Sequence, residues 1–526
     1  MCARSPGRCG ANTGRRSADR RVGRLACYTR HWLSDAVFSA SVGIIAGRKV
    51  TSHEAHPFPV SVNYIPVNHA RLSSSLNVGL VGTCIAFCER RVKILTVDAE
   101  TPLPDIPAPA VGEQWVLVRL HGHPLGLLRF RERGCSARQL GARIASEFAE
   151  RILSHVAADS LAEAGASAGL PSGVLPPPGE LPRECSRGHD RVLPLLTVAV
   201  CTRDGAIRLP ECLDSIEALD YPDRHLDLVV VDNAPRDSSA KDLIAGRYPR
   251  VRYVVERRPG LDWARNRAIL AARGDLIAFT DDDVSVDAGW ARAIGSLFAA
   301  DPQVEAITGL VVPDEIDSEA QVLFEAYGGF GRGFERRYFR GARGQSIGLR
   351  LGGAGVFGTG ANMAFRRTLF DRIGGFDPAL DVGTCTNGGG DLEIFFRALK
   401  HEATLVYEPK AVVRHRHRRT YSELRTQITN NGIGFYSYLV RSMREYRNER
   451  AALLMFGVWW FWWWSVRRLA RSVVHPGEFP RDLIFAELFG SLRGLGRYRR
   501  ACRHAARIQA AFGPHKGDPA IEGVPP

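Results

Sequence analysis

Several architectures are excluded by what this 526-residue sequence has little of. Cysteine is sparse: eleven residues at scattered spacings form neither a disulfide scaffold nor a zinc-ligand pattern, and they read as buried thiols of a reducing compartment. A Walker-type lysine loop is missing, which excludes a P-loop phosphotransferase. The one G-x-G-x-x-G match, Gly353 to Gly358, is not followed by a helix and a ribose-binding acid, so it is a chance match in a glycine-rich loop. Acidic charge is in deficit, with 56 Asp and Glu against 70 Lys and Arg, a formal charge of +14. The excess is mostly arginine near the two ends and calls for an anionic partner: nucleic acid, anionic lipid or a phosphorylated substrate. No interleaved recognition motif accompanies those arginines, so nucleic acid is not expected. A secretory leader is not expected either, because Ala36 to Ala46 is a weak apolar core placed late behind many arginines.

What is present divides along the chain. Residues 1–56 are rich in Arg, Ser and Gly without sustained periodicity and are expected to be disordered. Residues 57–170 are expected to be a small accessory α+β domain. Its core is a hairpin, WVLVRL and LGLLRF around the turn His121-Gly-His-Pro124, followed by a helix from Ala137 to Leu161 with Leu140, Ile144, Phe148 and Ile152 on one face. His121 and His123 flank the turn and are expected to be solvated rather than ligating. A proline-rich linker occupies 171–190. Beyond it, strand and helix alternate at short spacing four times: a strand to Cys201, a helix through Leu209, Cys212, Leu213 and Ile216, a strand Leu226–Asp232, a helix to Arg247, a strand Val251–Val255, a helix Trp263–Ala272 and a strand from Leu276. That alternation is the pattern of a parallel α/β sheet with right-handed crossovers.

The last of these strands ends in Asp281, Asp282 and Asp283. Ligands of such sheets gather at the carboxyl ends of strands. On extended backbone, residues two apart face the same way, so Asp281 and Asp283 can converge on one object while Asp282 turns aside and is the most replaceable of the three. A hard divalent cation carrying phosphates suits them, since Mg2+ and Mn2+ favour carboxylate oxygen. Thr202 to Asp204 and Asp232-Asn233 end two other strands and should open onto the same cleft.

These segments resemble the family 2 glycosyltransferases, enzymes of the GT-A fold that use nucleotide-diphosphate sugars. The matching pieces occur in family order over about residues 192 to 425: TVAVCTRD ending at Asp204, LVVVDN ending at Asn233, GLDWARN at 260–266, the three aspartates, GTGANMAF at 358–365, IGGFD ending at Asp377, GGGDLE at 388–393 and YEPKAVVRH ending at His415. The resemblance implies a mostly parallel sheet flanked by helices and assigns roles. Thr202, Asp204 and Asp232 would meet the nucleotide, with both aspartates against base and ribose, and Arg265 would neutralise diphosphate charge through its guanidinium fork. Asp281 would serve both donor and metal, Asp283 the metal directly, and His415 would stand near the metal or diphosphate. Asp391 would be the catalytic base that takes the acceptor hydroxyl proton, and direct displacement without a covalent nucleophile implies inversion. The family has an acid directly before this aspartate, and here Gly390 replaces it. Asp391 can also be read as an N-cap for a helix Leu392 to Leu399, and both roles can hold together. His417 shares a face with His415, and either a diphosphate site or a merely basic segment fits the pair. The glycine- and arginine-rich loops at 328–334 and 341–360 would close over donor and acceptor, with Phe334 as a stacking surface and Trp290 as core.

The C-terminal part, 426–526, is expected to be a helical, membrane-associating extension. Its apolar, tryptophan-laden stretch Ala451 to Val466 would reach about 24 Å as a helix, short of a hydrocarbon core of about 30 Å. Tryptophan also favours the interface, so a monotopic or re-entrant helix comes first, a tilted transmembrane helix second and a buried helix third. Arg493 to Arg507 would add attraction to anionic lipid. The expectation is a metal-dependent (Mn2+ or Mg2+) transferase at the cytoplasmic face of the cell membrane, moving a sugar from a nucleotide-diphosphate sugar donor to a glycan or lipid-linked acceptor. Two rivals are a nucleotidyltransferase, whose basic glycine-rich loop is missing from Thr202 to Ile207, and an inactive sugar-nucleotide-binding scaffold, which should have lost Asp391 or the Asp281/Asp283 pair.

Overall fold

The computed structural model describes residues 94–108, 113–131, 133–164, 178, 192–341, 346–474 and 479–513. The expectations for residues 1–56, for 57–93 and, apart from Pro178, for the linker 171–190 lie outside the described residues.

Among the described residues the larger sheet carries nine strands. Strands β4 (Leu196–Thr202), β5 (Leu226–Asn233), β6 (Val251–Glu256) and β7 (Leu276–Asp281) are parallel, in the spatial order β6-β5-β4-β7. Successive side chains on them enter opposite layers of core. Ala199 and Cys201, Val229 and Val231, and Ile277 and Phe279 join one cluster; Val198 and Val200, Leu228 and Val230, and Leu276 and Ala278 join the other. Both faces are therefore covered, which is why these strands read as unbroken apolar runs. Each fully buried large side chain contributes roughly 1.5–3 kcal/mol. The sheet continues through β11 (Asn362–Arg366), antiparallel to both neighbours, to β9 (Val304–Pro313), then to β12 (Thr404–His415), parallel to β9, and to β10 (Arg337–Arg340) at the edge. The short β8 (Val284–Val286) turns back onto the end of β12, with Val284 opposite His415.

Strands β1 (Leu95–Asp98), β2 (Glu113–Leu120) and β3 (His123–Arg131) form a separate sheet, covered by the helix Ala137–Ala164 through Leu140, Ile144, Phe148 and Ile152 as the spacing implied. At the turn, His121 Nδ1 lies 3.0 Å from His155 Nε2. The other face of this sheet docks on the large one: Trp115 and Leu117 pack with Leu310, Val312, Ile316 and Val412, and Arg119 bridges Asp98 and Asp287 at 2.7 Å each. Phe334 belongs to this junction, beneath Arg151, rather than to a stacking surface over the site.

The C-terminal helices are part of the same body. The helix Tyr421–Glu445 runs across residue 425, and Tyr436, Tyr438 and Leu439 enter the core layer that holds Ile277 and Phe279, together with Leu453, Phe456, Tyr498 and Ala501 from the helices Arg450–Trp460 and Arg481–Phe512. Between those two, Phe461–Val466 is a π-helical turn in which Trp460 and Trp464 stack at 5.3 Å and Trp464 Nε1 donates to the buried Glu487. Among the described residues no helix is long and apolar enough to cross a membrane.

Candidate active site

The sheet order turns at β4: β5 and β6 lie on one side of it and β7 on the other. A crevice forms outside the strand ends at such a point. Cys201 of β4 is level with Asp281 of β7, so Thr202 meets Asp282, and its hydroxyl donates to Asp282 Oδ2 at 2.6 Å. Arg208 adds two further bonds to the same carboxylate, at 2.9 and 3.1 Å. Asp282 lies in the turn that follows β7 and is turned aside there, but it is buried and fastens the first loop to the end of the fourth parallel strand. The expectation that it is replaceable gives way to a structural role, and Thr202 faces that carboxylate rather than open solvent.

The remaining two aspartates converge with a histidine. One ligand atom each from Asp281, Asp283 and His415 falls within 4.8 Å of the others, a group able to hold a metal ion. Strand pairing is the cause: Val284 of β8 is opposite His415 of β12, and the Arg416 amide donates to the Asp283 carbonyl at 3.2 Å, which sets His415 Nε2 3.6 Å from Asp283 Oδ1. Burial pushes the His415 imidazolium down to about 4, against the pull of Asp283, so the ring is neutral at physiological pH and has a lone pair for a cation. Its Nδ1 is buried without a hydrogen-bond partner. Asp281 is raised to about 7, by desolvation first, with Arg265 opposing and Asp283 adding to the rise, although about 30% of its side chain remains open to solvent. Two carboxylates and an imidazole brought together in this way fit a divalent cation. Phe330, from the loop 328–334, packs its ring 5.0 Å from His415, so that glycine-rich loop does border the site. His417 is committed elsewhere: its Nε2 lies 2.8 Å from Glu325 Oε1 among the rings of Phe324 and Phe330.

Asp391 stands in the first turn of the helix Gly390–Lys400. The N-cap is Gly389, so the capping reading of Asp391 is corrected. Its Oδ1 accepts from the Leu392 amide of the same helix at 2.8 Å, and its Oδ2 reaches across the crevice and accepts from the Gly360 amide at 2.9 Å. Gly388 and Gly389, at φ of 131° and 103°, make the sharp entry that points this helix start at the site, a backbone that other residues rarely adopt. Arg265 is buried between carboxylates, 3.1 Å from Asp262 Oδ1 and 3.7 Å from Asp281 Oδ1, and feels the charge of Asp391 as well. Asp232, at the end of β5, is buried and accepts from Tyr253 OH at 2.8 Å; burial raises its carboxyl, and the charge of Asp204 adds to that. Asp204 is exposed, in the left-handed region at φ 51°, 3.5 Å from Arg236.

Two buried acids near the site carried no role in the sequence reading. Asp381 receives the Leu261 and Asp262 amides at 2.7 and 3.1 Å, capping the helix Leu261–Ala271 from a distant loop. Asp262 itself is 1% exposed beside Arg265. Spacing along the chain gives no sign of either contact.

Residues 194–432 match the family described as "Glycosyltransferase like family 2". Among curated proteins, a glucosyl-dolichyl phosphate glucuronosyltransferase of Haloferax volcanii is 23% identical over 193 residues, which is 35% of this chain and 56% of that protein. The match thus spans little more than half of the relative's length. Among solved structures, a mannosyltransferase of Pyrobaculum calidifontis in complex with GDP-Man and Mn2+ is 18% identical, with 72% of this chain and 87% of that one covered and a TM-score of 0.35. A crystal structure of S. aureus TarS is 13% identical over 61% of this chain and 92% of that one, with a TM-score of 0.36.

Proposed function

Because residues 194–432 form a family 2 glycosyltransferase domain, we propose that the protein transfers a sugar from a nucleotide-diphosphate sugar to a hydroxyl acceptor, with inversion and with a divalent metal. The observation that carries the reading is the convergence of Asp281, Asp283 and His415 at the sheet's turning point, with Asp391 anchored on Gly360 across from them. Asp281, Asp283 and His415 would hold the cation, whose charge, when bound, offsets that of the departing diphosphate. Asp204 and Asp232 line the nucleoside end, where Asp232 Oδ1 is buried without a partner and can accept from a ribose hydroxyl. Arg265 orders the carboxylates behind the diphosphate rather than reaching freely to it. Asp391 keeps one face toward the crevice and takes the proton of the attacking hydroxyl, and no second nucleophile is needed for direct displacement.

The acceptor is lipid-linked or a cell-surface glycan, at the cytoplasmic face of the cell membrane. The curated relative is named for glucosyl-dolichyl phosphate, which supports the lipid-linked class. Support for a membrane surface comes from two exposed apolar stripes, Leu454, Val458 and Trp462 on one helical run and Phe485, Phe489 and Leu492 on another. The exposed Arg493, Arg499, Arg500 and Arg503 complement anionic lipid.

The test is a screen of sugar nucleotides for hydrolysis and transfer, with and without Mn2+, on wild type, Asp283→Ala and Asp391→Asn. Asp283→Ala should lose metal-dependent donor binding. Asp391→Asn should bind donor and lower turnover by about 10²–10⁴-fold, the usual worth of a general base. Full activity in either variant overturns that residue's assignment.

A further inference from the structure

The family motif has an acid directly before Asp391, and this chain has Gly390. The structure shows what occupies the vacated space. A Cβ built on Gly390 would lie 2.2 Å from Asp262 Oδ2 and 3.0 Å from Asp262 Cγ. Gly390 is helical, unlike Gly388 and Gly389, so its backbone admits a side chain, and the three atoms nearest to its Cβ would all belong to the Asp262 carboxylate. That carboxylate arrives from a different helix, Leu261–Ala271. Its Oδ1 accepts from Arg265 at 3.1 Å, and its Oδ2 is buried without a hydrogen-bond partner. Burying an ionisable group with one oxygen unsatisfied is costly, so packing alone is a poor reason for an acid here.

We propose that Asp262 supplies, from another helix, the carboxylate that the motif lacks at position 390, and that it acts as a positioning residue for Arg265 and through it for Asp391. Arg265 is the link. One end of its guanidinium is held by Asp262, and the other lies 3.7 Å from Asp281. The same terminal nitrogen would be 2.7 Å from a Cβ on Gly360, the residue whose amide grips Asp391. Moving Arg265 therefore disturbs the metal-facing Asp281 and the anchor of the base together. Asp262 touches no substrate in this scheme. Gly390 and Asp262 are a matched pair: a side chain at 390 collides while Asp262 is present, and loss of Asp262 leaves Arg265 unheld while 390 is glycine. The catalytic half of this inference rests on the glycosyltransferase reading; the exchange of carboxylates does not.

The experiment is a double-mutant cycle of wild type, Asp262→Ala, Gly390→Glu and the double variant, read by thermal unfolding, by binding of UDP and GDP with Mn2+, and by kcat and donor KM. Asp262→Ala should lower kcat by about 10–100-fold, as loss of a supporting shell does, and should also weaken Mn2+-dependent nucleotide binding, because Arg265 then no longer orders Asp281. Gly390→Glu alone should lower both the unfolding midpoint and kcat. The double variant should recover stability over Gly390→Glu and at least tenfold in kcat over either single change. Wild-type kcat in Asp262→Ala, or effects in the double variant that simply add, overturns the proposal. A wild type that binds no nucleoside diphosphate with Mn2+ and turns over no donor overturns the glycosyltransferase reading and the catalytic half with it, and the unfolding cycle then still decides the exchange.

Discussion

Asp282 accepts from Thr202 and Arg208, whereas Asp281 and Asp283 look toward His415, because the chain leaves β7 at Asp281 and turns through Asp282 and Asp283 before β8. Removing Asp282 leaves a buried hydroxyl and a guanidinium without their acceptor. Asp282→Ala is therefore expected to cost about 1–3 kcal/mol in urea unfolding, the usual penalty for stranding buried polar groups. Asp283→Ala, which relieves repulsion from Asp281, should leave the unfolding midpoint close to that of wild type while abolishing the cation site. The contrast separates a residue that holds the strand ends from one that faces ligand, and equal destabilisation by the two changes would contradict the division.

The helix Gly390–Lys400 is positioned from behind by charge. Its fully buried Glu393 pairs with Arg397 at 2.5 Å and with Arg441 of the helix Tyr421–Glu445 at 2.8 Å. Burial works to raise the Glu393 carboxyl, but the two arginines outweigh it and hold it below its ordinary 4.5. A carboxyl depressed on folding adds stability above its unfolded value and loses that contribution as pH falls through the folded one. Glu393→Gln should thus cost about 3–5 kcal/mol near neutrality, by leaving two buried guanidinium groups short of charge. The loss should shrink on acidification below about 4.5, where wild type forfeits the same term, and paired urea titrations at neutral and acid pH check it. The Glu393–Arg397 spacing of four on one helix is legible along the chain, whereas the contact with Arg441 is not. The four parallel strands were legible, since each is a short apolar run ending in polar residues, and so was the hairpin with its helix. The antiparallel β11 and the return of β8 onto β12 were not, because they depend on long-range register, yet that register is what brings His415 to Asp283. The motifs therefore drew attention to these residues, and tertiary pairing decided that Asp281, Asp283 and His415 converge while Thr202 and Asp282 face each other.

At the scale of the whole molecule, the exposed apolar residues of the C-terminal helices are set among arginines: Arg467 lies over Trp463 and Arg493 over Phe489. A surface of that kind should partition into the headgroup region. Wild type is expected to co-sediment with vesicles containing phosphatidylserine, less so at high salt. The triple variant Trp462→Ser, Phe485→Ser, Phe489→Ser should bind roughly a hundredfold more weakly or worse, since each large side chain withheld from the apolar phase is worth about 1.5–3 kcal/mol. Undiminished binding by that variant would dismiss these stripes as the contact surface. The way the helix Tyr421–Glu445 is built into the core has a different outcome for anyone dissecting the protein. The family match ends at residue 432, midway along that helix, before Tyr438 and Arg441 and before Tyr498, whose hydroxyl donates to Asp377 of the IGGFD segment at 2.8 Å. A recombinant piece cut at the homology boundary would strip Glu393 of one of its cations and lay bare Phe396, whose ring packs 5.9 Å from that of Tyr438. The smallest unit that folds by itself is therefore expected to extend through the helix Arg481–Phe512, well beyond the segment that sequence kinship marks out.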